Sequence, residues 1–133
     1  MLVETADDAD VRDVVTLARE FHALKFVVLG MGGADWGEAI RACEPVLNTI
    51  LEIGSLEADR DKVADAVAEV GPRRVVFGCH YPRLHPMYVL GMVRDAAIEE
   101  RDRERLLFRN AAELFELELV NAPLGAARGE AGD

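Results

Sequence analysis

Arg73-Arg74-Val75-Val76-Phe77-Gly78-Cys79-His80-Tyr81-Pro82, continued by Arg83-Leu84-His85-Pro86, is the stretch whose reading decides the fold. Val75, Val76 and Phe77 form a short apolar run of β-branched and aromatic residues, which predicts a strand covered on both faces. Gly78 lets the chain turn sharply at the strand's carboxyl end, and His80 follows just beyond it. Pro82 stiffens the loop, and Pro86 suits the first turn of a helix, where its missing N–H costs nothing. In α/β barrels and open α/β sheets, ligands gather at the carboxyl ends of the parallel strands. His80 is therefore the first candidate for chemistry.

The same arrangement recurs upstream. Lys25-Phe26-Val27-Val28-Leu29 is an apolar strand stopped by Gly30-Met31-Gly32-Gly33. Val46 to Ile53 reads as a third extended segment. Leu47, Thr49, Leu51 and Ile53 point one way along it, and Asn48, Ile50 and Glu52 the other. A carboxylate belongs neither in a dry core nor against a packed helix, so the face carrying Glu52 should look on a polar cavity or solvent. Leu2-Val3 reads as the stub of one more strand.

Helical spacing separates these segments. Apolar positions recur every three to four residues over Asp10 to His22, Ala34 to Cys43, Asp59 to Val70 and Met87 to Ile98. Thr5 with Asp8 resembles a capping box, Asp35 suits a helix cap, and Gly71-Pro72 is a strong stop. Arg101 to Phe108 reads as a charged amphipathic helix, and Asn110 as the cap of a last short one carrying Ala111, Leu114 and Phe115. Strands alternating with helices predict a parallel α/β fold. One domain over 1–118 is expected, followed by a disordered tail over 119–133, where Gly, Ala, Pro and charge dominate.

Composition narrows the function. Half of the 133 residues are apolar, enough for a real core. The net charge of −10 repels nucleic acid and anionic membranes. The apolar runs fall short of the roughly 20 residues that span a bilayer. The acids Glu4, Asp7, Asp8 and Asp10 are wrong for a targeting segment, so a cytoplasmic protein is expected. Cys43 and Cys79 lack metal-ligand spacing and read as reduced core cysteines. Only Lys25 and Lys62 are lysines, against 13 arginines.

Three chemistries fit the candidate residues. Gly30-Met31-Gly32-Gly33 follows a strand, opens a helix and has an acid, Glu52, about 20 residues on, as a dinucleotide fingerprint would. Against it, Asp35 stands where a third glycine belongs and would repel a phosphate. A metal site could draw on His80, Glu52 and His85, fewer ligands than zinc usually takes, so no metal ligand is assigned. His22, at a helix end, suits a solvated role. General acid–base work by His80 alone needs little tuning of an imidazole.

Val75 to Pro82, followed by Asp102-Arg103-Glu104-Arg105-Leu106-Leu107-Phe108-Arg109-Asn110-Ala111-Ala112-Glu113-Leu114-Phe115, resembles the C-terminal end of amidohydrolase-related metal-dependent hydrolases. Leu24 to Gly33 is similar to that family's strand ending in a His-Met-Gly-Gly type turn. The resemblance covers most of Val11 to Leu117. It implies a partial (β/α)8 TIM barrel, roughly its last three to four βα units with parallel strands, plus C-terminal helices. It also implies descent from hydrolases acting on small carboxylic or amide-type substrates, with a divalent metal such as zinc as cofactor. The family's metal-binding histidine falls on Gly30 and its catalytic aspartate on His80, and its N-terminal H-x-H ligands have no counterpart. A truncated or divergent relative is expected, with the metal ligands largely missing. His80 would then be the catalytic residue, and Glu52, Arg83 and His85 pocket residues that bind substrate, Arg83 being suited to a carboxylate. Its partners would be a small-molecule substrate and either a second copy or another chain completing the barrel, because so few strands cannot close one. The alternative is a non-catalytic subunit, a pseudoenzyme that only packs against a partner.

Overall fold

A computed structural model describes residues 1–57 and 59–119. Apart from Leu119, the stretch expected to be a tail lies outside the described residues. The chain runs β1 (Leu2–Glu4), α1 (Asp8–Glu20), β2 (Phe26–Leu29), a kinked 3-10 segment (Gly30–Asp35), α2 (Trp36–Cys43) and β3 (Thr49–Glu52). It continues with α3 (Arg60–Val70), a 3-10 turn (Pro72–Arg74), β4 (Val75–Val76) and α4 (Pro86–Asp95). The last helical stretch is α5 (Glu100–Glu104), a wide π turn (Arg105–Arg109) and α6 (Asn110–Phe115). Among the described residues, four strands form one sheet in the order β1-β2-β3-β4. Every neighbouring pair is parallel. This is the α/β, partial-barrel arrangement, with the Leu2-Val3 stub forming most of β1. No helix among the described residues is long and apolar enough to cross a membrane.

The two faces of the sheet are packed differently. Phe26, Val28, Leu51, Ile53 and Val75 face the helices and join one large core. Val11, Val14, Val15 and Ala18 of α1, Ala39, Ile40 and Cys43 of α2, Val63 and Ala66 of α3, and Val89 and Val93 of α4 complete it. The opposite face, which would line a barrel's interior, offers Val27, Ile50 and Val76, packed with Leu29 and with Leu114 of α6. Leu114 of α6 packs on it, and the three strand residues are buried.

Several local expectations are corrected. The N-cap of α1 is Asp7, whose side chain accepts from the Asp10 N–H. Thr5 does not cap it: its hydroxyl donates to the Leu29 carbonyl and accepts from the Gly32 N–H, tying β1 to the end of β2. Asp35 makes no side-chain cap bond. Asn110 caps nothing either; it is buried, and its side-chain amide donates to the carbonyls of Pro72 and Val75. The third extended segment is ordered as a strand only over Thr49–Glu52, because Asn48 turns its amide away to the Ala18, Phe21 and Leu24 carbonyls.

Candidate functional site

At the carboxyl ends of β3 and β4 a glycine makes room for one carboxylate. Glu52 is 4% exposed, on the Ile50 face where strand alternation places it. Its Oε2 accepts from the Gly30 N–H at 2.9 Å and its Oε1 from the Gly54 N–H at 2.8 Å. Such charge-assisted bonds offset the cost of taking a carboxylate out of water. A Cβ at Gly78 would stand 2.0 Å from Glu52 Oε1, and one at Gly54 2.5 Å from the same atom. The carboxylate therefore depends on glycine at both positions.

His80 lies over this carboxylate. Its backbone is left-handed, with φ of 48°, an unusual conformation for a non-glycine residue and a frequent mark of functional loops. Nε2 is buried without a well-formed hydrogen bond and lies 3.4 Å from Glu52 Oε2. On the other side of the ring, Nδ1 is 3.9 Å from Glu4 Oε1, and the same oxygen is 3.3 Å from Arg83 Nη1. The imidazole is thus held between two acids, one buried and one exposed.

A cleft of about 170 Å³ opens above this group, lined by Glu4, His80 and Arg83 together with Gly30, Gly54 and Ser55. The structure thus brings together three of the four predicted site residues, Glu52, His80 and Arg83. It does not bring His85: that residue is the N-cap of α4, its Nδ1 accepting from the Met87 N–H at 3.2 Å. Glu4 was missed, because a three-residue strand at a chain end gives no periodicity to read. Ser55 and Lys62 were missed too. Lys62 Nζ donates to Ser55 Oγ at 2.5 Å, and Lys62 is fully buried. Burial pushes that amine below the usual lysine range, opposed by the charges of Glu57, Glu52 and Asp59.

Neither alternative chemistry fits these donors. The amides that would cradle a phosphate are taken, Gly30 N–H by Glu52 and Gly32 N–H by Thr5. A divalent metal at His80 would need several ligands on one ring nitrogen's side. Here Glu4 and Glu52 face opposite nitrogens, and both Glu52 oxygens already accept backbone bonds. Among the described residues no group of three or more His, Cys, Asp or Glu is placed to hold an ion. A Cβ at Gly30, whose φ is 75°, would lie 3.3 Å from the Thr5 carbonyl and 3.9 Å from His80 Cε1.

The sequence model of the amidohydrolase family known as Amidohydro_2 matches residues 1–117. The chain belongs to this family. An amidohydrolase from Burkholderia multivorans with bound zinc superposes with a TM-score of 0.72 at 17% identity, over 88% of this chain and 53% of that one. A dihydroxybenzoic acid decarboxylase from Polaromonas sp. JS666, with bound manganese and the inhibitor 2-nitroresorcinol, gives 0.65 at 18% identity over 85% and 40%. A 5-carboxyvanillate decarboxylase from Sphingomonas paucimobilis gives 0.63 at 17% identity over 83% and 39%. This amidohydrolase-family chain spans about half the length of the first structure and two fifths of the other two. None of the curated proteins matches it in sequence. What the chain shares with them is part of their fold, the four-stranded parallel sheet and its helices.

Proposed function

We propose that this chain is a divergent amidohydrolase in which His80, backed by Glu52, does general acid–base work on a small carboxylic or amide-type substrate without a metal. The observation that carries the reading is the buried Glu52 carboxylate, fixed by two backbone N–H groups and 3.4 Å from an otherwise unpartnered His80 Nε2. Glu52 stabilises the imidazolium that forms when His80 takes a proton, and the fixed carboxylate keeps the ring in place. Arg83 supplies a guanidinium at the mouth, where a substrate carboxylate would displace the exposed Glu4 as its partner. Substrates that combine a carboxylate with a hydrolysable amide meet both requirements.

The test is hydrolysis of short N-acyl amino acids with chelator present throughout. The expected result is chelator-resistant turnover that falls at least about 100-fold in His80→Ala, the scale of a lost general acid–base group. Turnover that vanishes with chelator and returns with zinc would overturn it.

A second reading rests on a different observation. The barrel-interior side of the sheet carries a mostly apolar cleft of about 380 Å³, lined by Leu2, Val27, Leu29, Val76, Leu114 and Phe115 among others. Leu2 and Phe115 remain exposed beside it. A partner strand layer, from a second copy or another chain, would cover this surface as barrel closure does in larger relatives. In that case the chain is a non-catalytic subunit. Sedimentation velocity separates the two: self-association with no turnover favours the subunit, and a compact active monomer excludes it.

A further inference from the structure

We propose that Ser55 and Lys62 form a serine–lysine acyl-transfer pair opening on the cleft beside His80, with Ser55 Oγ the nucleophile and Lys62 Nζ its base, acting on short-chain acyl esters and amides. This goes beyond the acid–base reading of His80 and does not depend on it.

The geometry is that of an activated nucleophile. Gly54-Ser55 turns the chain out of β3, and Ser55, 8% exposed, lines the cleft. Lys62, the third residue of α3, reaches back from behind with its Nζ 2.5 Å from Ser55 Oγ. That is its only hydrogen bond among the described residues. Long lysine side chains ordinarily extend to water, yet this one is fully buried. An ammonium has three protons to place, and here a single hydroxyl receives it. The first turn of a helix is also the positive end of its dipole, which disfavours a cation. The acids whose charge reaches Nζ are Glu57, Glu52 and Asp59, and they act in the opposite sense, with burial the larger effect. A buried amine that gives up its proton easily is what a serine needs as a base.

With Nζ neutral, the serine hydroxyl donates to it. Oγ attacks the acyl carbon as its proton passes to Nζ, and a tetrahedral adduct forms. The ammonium returns that proton to the leaving alcohol or amine as the C–O or C–N bond breaks, leaving an acyl-serine and a neutral lysine. Water, deprotonated by the same Nζ, then attacks the ester; the acid departs and Oγ recovers its proton. Each turnover consumes one water and releases one acid. The cleft, at about 170 Å³, is smaller than the roughly 300–1,000 Å³ of drug-sized sites, so the acyl group is short. Gly30, Gly33 and Gly54 line it, letting such a group approach the main chain closely.

The full chain is treated with diisopropyl fluorophosphate and followed by intact mass and peptide mapping. The expected result is one adduct per chain, on Ser55, absent in Ser55→Ala and formed at least about 100-fold more slowly in Lys62→Met. In parallel, NMR titration of the two lysine side chains uses exposed Lys25 as an internal reference. It is expected to show Lys62 losing its proton at lower pH than Lys25. No adduct on Ser55 in the native chain, or an unchanged rate in folded Lys62→Met, would overturn the proposal. Should Lys62→Met not fold, a Lys62 amine that titrates with Lys25 would overturn it as surely.

Discussion

The two ends of the sheet solve opposite problems. At the amino ends of the strands, where α2 and α3 finish, spare carbonyls need donors. Arg74 gathers those of Val70, Cys43, Val46 and Glu44 on one guanidinium. Asn48 takes those of Ala18, Phe21 and Leu24, and Asn110 those of Pro72 and Val75. At the carboxyl ends, spare amides need acceptors, and Glu52 and Thr5 supply them to Gly30, Gly54 and Gly32. One end is built from long polar donors locked onto the main chain. The other is built from glycines around one carboxylate, with His80, Arg83, Ser55 and open space above. On the proposed reading, the difference separates stability from chemistry at the two ends of one sheet.

Breaking the lower clamp should have the largest effect. Arg74→Met strands at least three carbonyls at once, and a loss of about 3 kcal/mol is expected in urea unfolding, at roughly 1 kcal/mol or more per unmet group. Labelling of Ser55 by diisopropyl fluorophosphate should survive in the folded fraction. A loss no larger than for an exposed substitution would mean that the clamp does nothing.

The upper end should respond less in stability and more in function. Gly78→Ala drives a methyl into the Glu52 carboxylate, and Glu52→Gln offers the glycine amides one oxygen where they had two. Each should cost about 1–3 kcal/mol and remove chelator-resistant turnover. If Gly78→Ala keeps full turnover, the fixed position of Glu52 is irrelevant to the chemistry.

The pH dependence of stability sharpens the contrast further. Lys62 loses its proton more readily folded than unfolded. Between those two pKa values the unfolded chain holds a proton that the folded chain has shed, so stability rises with pH there and levels off above about 10.4, the free lysine value. Lys62→Met should flatten this part of the curve in thermal melts. A wild-type curve already flat there would contradict it.

The smallest effect concerns the two thiols. Cys43, near the lower clamp, is buried and its thiol is pushed up by that burial, whereas Cys79 follows Gly78 at the upper end and is half-buried. Iodoacetamide should modify Cys79 first, with Cys43 reacting only on unfolding. Equal rates in the native protein would show that the outer core opens as easily as the site.

What could be read from sequence follows the range of each signal. Val75-Val76 and Phe26 to Leu29 announce strands because apolar β-branched runs are local. Glu52 was placed on the right face because strand alternation needs no partner. The amides that hold Glu52 come from the end of its own strand, Gly54, and from the end of β2, Gly30, and the one spacing rule that joins Gly30 to Glu52 describes an acid on a ribose, not a hydrogen bond between the two. Thr5 was assigned to the wrong task for the same reason: a threonine before a helix looks like a cap whether or not its hydroxyl turns to a neighbouring strand. Lys62 was hidden by its own charge, since a lysine in an amphipathic helix is read as solvent-facing. Asn110 looked like a cap because its clamp spans the distance from α6 back to β4.

The central claim is that a glycine-held carboxylate and His80 take the place of a metal at the strand ends. It is tested most directly by following the His80 imidazole resonances while zinc is added to the apo protein. The account predicts that they stay unchanged at stoichiometric zinc, yet shift when a small carboxylate enters the cleft. Saturable zinc binding that broadens or shifts His80 at one ion per chain would contradict it.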